Sequence, residues 1–117
     1  MITRKMTLDG KVNMDDILNM DVFFDIFLSR DVFVENYVST DKKLTIYIAE
    51  PYYMRIESNL SVTVIVEELD DKVNVDIISS GGQKGFWGLS WGAESNATDK
   101  VASLLELYGF VEIDSVE

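Results

Sequence analysis

Hydrophobic and polar positions alternate with two different periods along this chain, and the change of period divides it. From Met1 to Leu8 the alternation is loose and two-residue, which predicts a first strand ended by the turn pair Asp9-Gly10. Asn13 then stands where a helix N-cap belongs, with Asp15 and Asp16 in the turn that follows, where the helix dipole favours negative charge. Ile17, Met20, Phe24, Phe27 and Leu28 recur at helical spacing, so residues 14–29 are predicted as one helix. Val22 and Phe23 widen its apolar face beyond a single stripe.

After Asp31 the period becomes two. Val32 to Val38, Leu44 to Ala49, Leu60 to Val66 and Val73 to Ile78 are rich in β-branched and aromatic residues. Turn residues bound them at Ser39-Thr40-Asp41, Ser58-Asn59 and Asp70-Asp71. Leu44, Ile46 and Ile48 share one side of their strand, as do Val62, Val64 and Val66, and Val73, Val75 and Ile77, so the sheet is expected to be antiparallel with one buried face. Glu50-Pro51 bends or ends a strand, and Tyr52 to Glu57 resumes as a short one at an edge. Phe86 to Trp91 predicts a further strand, with Gly92 as a break. A last helix is then capped by Ser95 or Asn96, with Thr98 and Asp99 in its first turn. Ala97, Val101, Leu104, Leu105 and Tyr108 form its apolar stripe, and Gly109 followed by Phe110 is a C-terminal stop.

The order β-α-β(4-5)-α fits a two-layer α+β domain over residues 1–117, with an antiparallel sheet of about five or six strands and two helices on one face. TBP-like and helix-grip arrangements share approximately this order.

Composition narrows the chemistry. Cysteine and histidine are both absent, which removes disulfides, thiolate nucleophiles and the imidazole and thiolate ligands of zinc, copper and non-haem iron. No metal and no cofactor is expected. Ten basic against 21 acidic residues give a net charge of −11, spread along the whole length. Such a surface repels phosphate backbones and anionic membranes and attracts a basic partner. Asp9 and Lys11 interrupt what could otherwise follow Arg4-Lys5 as a signal peptide, and the run Leu60 to Val66 is too short to span a bilayer, so a cytoplasmic location is expected.

The quintet Gly88-Leu89-Ser90-Trp91-Gly92 matches the G-x-S-x-G of a nucleophile elbow. No histidine exists to take the proton of Ser90, and neither Lys84 nor Lys100 stands in an S-x-x-K relation to it. A structural role explains the letters better: Trp87, Leu89 and Trp91 on one face of a strand, Gly88 and Ser90 on the other, and a permissive corner at Gly92. The loop containing Ser80, Gly81, Gly82 and Lys84 is a candidate anion cradle, although it matches neither phosphate-binding glycine motif and reads more simply as a hairpin loop. Tyr52, Tyr53, Arg55, Trp87 and Trp91, together with Tyr47, could line a pocket for a small apolar or aromatic ligand, the competing use being core packing. Glu67-Glu68 and Asp70-Asp71 read as a solvated hairpin tip.

Asn59 to Val64, then Val75-Asp76-Ile77-Ile78-Ser79-Ser80-Gly81-Gly82, then Trp91-Gly92-Ala93-Glu94 before the last helix, together resemble the DUF6054 family of small bacterial proteins. The resemblance covers roughly residues 44–109. It implies no catalytic residues, because the family's function is unknown.

Residues and resemblance together lead to the expectation of a non-enzymatic small-ligand-binding or protein-interaction domain. The alternative is an acidic inhibitor or immunity-type protein that binds a basic partner, and a serine hydrolase built on Ser90 is a distant third.

Overall fold

A computed structural model of the protein describes residues 2–27, 30–51, 61–80 and 93–113. The described chain is α+β. Strand β1 (Ile2–Asp9) leads through a short helix α1 (Met14–Ile17) into α2 (Met20–Phe27). Then follow β2 (Val32–Val38), β3 (Leu44–Pro51), β4 (Ser61–Glu68), β5 (Lys72–Ser80), helix α3 (Ala93–Leu107) and a two-residue strand β6 (Val111–Glu112). The six strands form one open antiparallel sheet in the order β2-β3-β4-β5-β1-β6. Helices α2 and α3 pack against one of its faces.

The centre of the sheet follows the predicted alternation. Val62, Val64 and Val66 of β4 and Val73, Val75 and Ile77 of β5 are all fully buried beneath the helices. The register sets Val64 beside Ile77, and Val66 beside Val75. Met6 of β1 lies opposite Val75 and extends the same row. From the helix layer Phe23, Ile26 and Phe27 of α2 and Ala97, Val101, Ala102 and Leu105 of α3 close over it.

On β3 the helix-facing set is the other one. Tyr47 lies opposite Val64 and Ala49 opposite Val62, so these two enter the core while Ile48 stays 45% exposed. Leu44, Ile46 and Ile48 do share a side, but it is the side away from the helices. Both sides of β3 are apolar, so alternation alone does not choose between them; the register to β4 does.

The first helix also departs from expectation. It is two pieces, because Leu18 leaves helical geometry (φ −103, ψ 77) and Asn19 starts the chain again. Asn19 accepts the Val22 N–H on its side chain at 3.2 Å, a second cap that the apolar periodicity hides. The restart resets the helical phase. Phe23, Ile26 and Phe27 turn inward, while Met20 is 42% exposed and Phe24 lies half-buried under the Arg30 guanidinium, 5.3 Å from its ring centre. The Asn13 cap is as read from the sequence, with its side chain taking the Asp15 N–H at 3.0 Å.

Helix α3 begins at Ala93, so Ser95 and Asn96 lie inside it and do not cap it. Its buried stripe includes Ala102 in place of Tyr108, which lies beyond the helix end and is exposed. The predicted strands 52–57 and 86–91 and the turn Ser58-Asn59 lie outside the described residues. Strand β6, too short for any period to show, completes the sheet beside β1.

The end of α3 is a Schellman motif. Gly109 N–H donates to the Glu106 carbonyl at 3.0 Å and Phe110 N–H to that of Leu105 at 3.1 Å, while the Phe110 ring is buried. Gly109 sits at φ +100, and a Cβ there would stand 3.3 Å from Leu8 Cδ1. Gly109→Ala therefore combines backbone strain with crowding against β1. It should lower unfolding stability by about 1–3 kcal/mol in urea denaturation, and an unchanged midpoint would contradict the motif's role.

Candidate functional site

Since the helices cover only one face of the sheet, its other face carries whatever the remaining half of each strand provides. On β2 and β3 that half is largely apolar, and β4 adds Ile65 to it. Tyr37 pairs with Ile46, and Ile46 with Ile65, so three large side chains stand in one cross-strand row. The next row holds Ile48, Thr63 and Ile78. Tyr37 is 59% exposed, while Ile46, Ile65 and Ile78 are half-buried. No described element covers this face.

The β5–β1 side of the same face is polar and largely satisfied within itself. Thr7 donates its hydroxyl to Asn74 Oδ1 at 2.8 Å, and Lys5 Nζ reaches Asp76 Oδ1 at 3.2 Å. Ser61 and Ser80 bring their hydroxyls to 3.1 Å. Glu35 and Glu67 stand among the apolar side chains, exposed. The face is thus an aliphatic and aromatic patch bearing carboxylates.

A second concavity lies in the helix layer. Asp25 of α2 and Asp99, Lys100, Ser103, Leu104 and Leu107 of α3 line a broad open cleft of about 470 Å³. Two of its charged side chains are engaged, Lys100 Nζ with the Asp25 carbonyl at 3.1 Å and Asp99 with Arg4 at 2.6 Å. Leu107, 82% exposed, is its most prominent apolar wall.

Arg4 ties three elements. It holds Asp99 of α3 through one guanidinium nitrogen and grips both carboxylate oxygens of Glu112 on β6, at 2.6 and 3.1 Å. The hydrogen bonds from Arg4 hold the Glu112 carboxyl below its ordinary range. The group's folded value is depressed, so its stabilising contribution is complete above the unfolded value and is lost as pH falls through the folded one.

Of the residues singled out in the sequence, Ser80 is placed at the end of β5 on the open face. Tyr52, Tyr53, Arg55, Gly81, Gly82, Lys84, Trp87, Ser90 and Trp91 lie outside the described residues. Tyr47 belongs to the core. It packs 6.3 Å from the Phe23 ring and donates its hydroxyl to Asp15 Oδ1 at 2.8 Å. The patch residues Tyr37, Ile46, Ile48, Ile65 and Ile78 were not singled out. Their signal was present in β3, whose two sides are both apolar and so demand two apolar environments.

Among the described residues no cluster of acidic groups is placed to hold a metal ion, and no helix is long and apolar enough to cross a membrane. Structurally this is an α+β layer pair in which no described element covers the second sheet face. The chain belongs to DUF6054, a family of unknown function, whose model matches residues 7–109. The match takes in the end of β1 and the first helices as well as the stretch whose motifs carry the resemblance. No curated protein and no solved structure matches the chain.

Burial, and after it the bond to Asp15, pushes the ionisation of Tyr47 well above the ordinary phenol value of 10.0. The folded value lies above the unfolded one, so the stabilisation is present below about pH 10 and is lost as pH rises further. In an alkaline titration followed by tyrosine absorbance, Tyr47 should ionise only as the protein unfolds. Tyr47→Phe should remove that late step and cost about 1 kcal/mol of stability, whereas a tyrosine signal complete before unfolding would contradict the burial.

Proposed function

We propose that the protein is a binding or interaction domain that does not catalyse a reaction, and that its working surface is the open sheet face. The observation that carries this is the cross-strand patch of Tyr37, Ile46, Ile48, Ile65 and Ile78, held on a rigid antiparallel frame and left without a covering element among the described residues. A contiguous apolar surface rimmed by polar groups is what a partner or an apolar ligand desolvates on binding. The protein's side of such an interface is preformed, because the strands that hold the patch are fixed from behind by the valine core.

Charge favours one kind of partner. Glu35 and Glu67 stand among the patch residues, and the whole chain carries −11. A protein surface with apolar and basic groups fits this face; a nucleic acid or an anionic membrane does not. An inhibitor or immunity-type role against a basic protein is the narrower form of the same proposal. A small aromatic ligand is the alternative, seated on the patch or in the cleft beside Leu104 and Leu107.

The test is a chemical-shift titration of the labelled protein against a panel of basic amphipathic peptides, apolar metabolites and common ester and phosphoester substrates. Binding should move the amides of residues 35–37, 46–48 and 63–65 and weaken as salt rises. Ile48→Lys should abolish it by charge and desolvation while leaving the melting temperature within a few degrees, since Ile48 is already partly in water. Shifts confined to the α2–α3 cleft would move the site, and turnover of any panel member would overturn the non-catalytic reading.

A further inference from the structure

Strand β2 ends the sheet, and its hydrogen-bonding phase can be read from its turn. Ser39 N–H donates to the Leu44 carbonyl at 2.8 Å, and the pair continues the register of Val38 with Thr45. In an antiparallel ladder the bonded pairs recur at every second residue. Tyr37, Glu35 and Phe33 therefore spend their backbone groups on β3, while the N–H and C=O of Val34, Asn36 and Val38 point away from the sheet. No described residue takes them up.

Most exposed edges are blunted by proline, by a bulge, by clustered charge or by shortness. The opposite edge uses the last device, since β6 has two residues. Strand β2 uses none fully. It is seven residues long, its register to β3 is unbroken from Val32 to Val38, it contains no proline, and its one charge is Glu35. From Glu35 to Val38 its side chains are exposed on both sides of the sheet.

We propose that this edge pairs with the same edge of a second copy, antiparallel, about a twofold axis at Asn36. That register is selected by what it places together. It sets Val34 opposite Val38 of the partner copy, Asn36 opposite Asn36, and Val38 opposite Val34. Each of these pairs has outward backbone groups, so each exchanges two hydrogen bonds. Between them Glu35 meets Tyr37, and no like charges oppose. An axis at Glu35 would set two carboxylates directly opposite, which destabilises a pair. An axis at Val34 would leave Tyr37 and Val38, the most exposed apolar residues of the strand, beyond the pairing. The product is a twelve-stranded sheet with both helix layers on one side and the two open faces continuous on the other. This pairing stands independently of what the open face binds.

Sedimentation equilibrium from micromolar to millimolar concentration tests it. A monomer–dimer equilibrium is expected that tightens as salt rises, because added ions screen the repulsion between two chains of −11 each. Asn36→Pro deletes an outward N–H without removing a bond to β3 and should weaken the dimer by about tenfold or more. If that variant melts early, Asn36→Asp brings two carboxylates together on the axis and should weaken the dimer in the same direction. The chain has no cysteine, so engineered thiols report the register without background. Facing residues of a non-bonded pair have Cα atoms about 4.5 Å apart, within reach of a disulfide. Glu35→Cys mixed with Tyr37→Cys should oxidise to a cross-linked pair, and neither should cross-link alone. A monomer at every concentration, a dimer indifferent to both Asn36 substitutions, or cross-linking of the single variants alone would each overturn the proposal.

Discussion

Six side chains on two neighbouring strands, Val62, Val64 and Val66 with Val73, Val75 and Ile77, determine the arrangement of the other elements. All are fully buried on the same face, and burial of each contributes about 1.5–3 kcal/mol. They can be buried only together, because a slip of one residue in β4 or β5 would turn a whole row to the other side. Their register fixes the plane of the sheet, and that plane fixes where α2 and α3 must lie. Met6 enters opposite Val75, and Tyr47 opposite Val64, as the extensions of this row into β1 and β3. At its rim the row turns polar, with Arg4 opposite Ile77 and bonded to α3 and β6. One continuous layer thus passes from aliphatic centre to ion-paired border.

The parts of the fold legible in the sequence were those where pattern and packing agree. β4 and β5 alternate cleanly because one side faces the core and the other does not, and the Gly109-Phe110 stop is legible because a left-handed residue and its hydrophobic contact are both sequence-local. On β3 the pattern is ambiguous, because Leu44, Ile46 and Ile48 are as apolar as Tyr47 and Ala49, and only the neighbouring strand decides which set goes in. The break at Leu18-Asn19 was hidden beneath a helical spacing that happens to continue through it. A second cap at Asn19 looks like any polar residue on a helix until its side chain is seen holding the Val22 N–H. Strand β6 draws its place from β1 and from Arg4, neither of which is near it in sequence. The surface patch is hidden in the sequence for the same reason, since it too is a consequence of a strand with two apolar sides.

The excess of negative charge acquires a structural meaning once the cations are placed. Arg4 is committed to Asp99 and Glu112, Lys5 to Asp76, Lys100 to the Asp25 carbonyl and Arg30 to the Phe24 ring. These groups join elements to one another, so they are spent within the molecule. Carboxylates such as Glu35 and Glu67 gain no such use and remain in water beside the apolar patch. Part of the net charge of −11 is thus carried by carboxylates on the second face of the sheet, beside the apolar patch.

Strand β2 belongs to both of the proposed contacts, through different atoms. Its odd-numbered side chains, Glu35 and Tyr37, lie on the open face, whereas its even-numbered backbone groups point out of the sheet edge. Pairing through the edge therefore leaves the face unobstructed, and pairs it with an identical face around the axis. A partner that reaches across that axis would meet two copies of Tyr37 and Glu35 at once, and its second attachment would be intramolecular. Weak contacts on each patch could then sum to a firm one through effective concentration. In the same geometry the single charge on β2 and its exposed apolar end act together to set the register: Glu35 rejects itself across the axis, and Tyr37 and Val38 are drawn into the pairing.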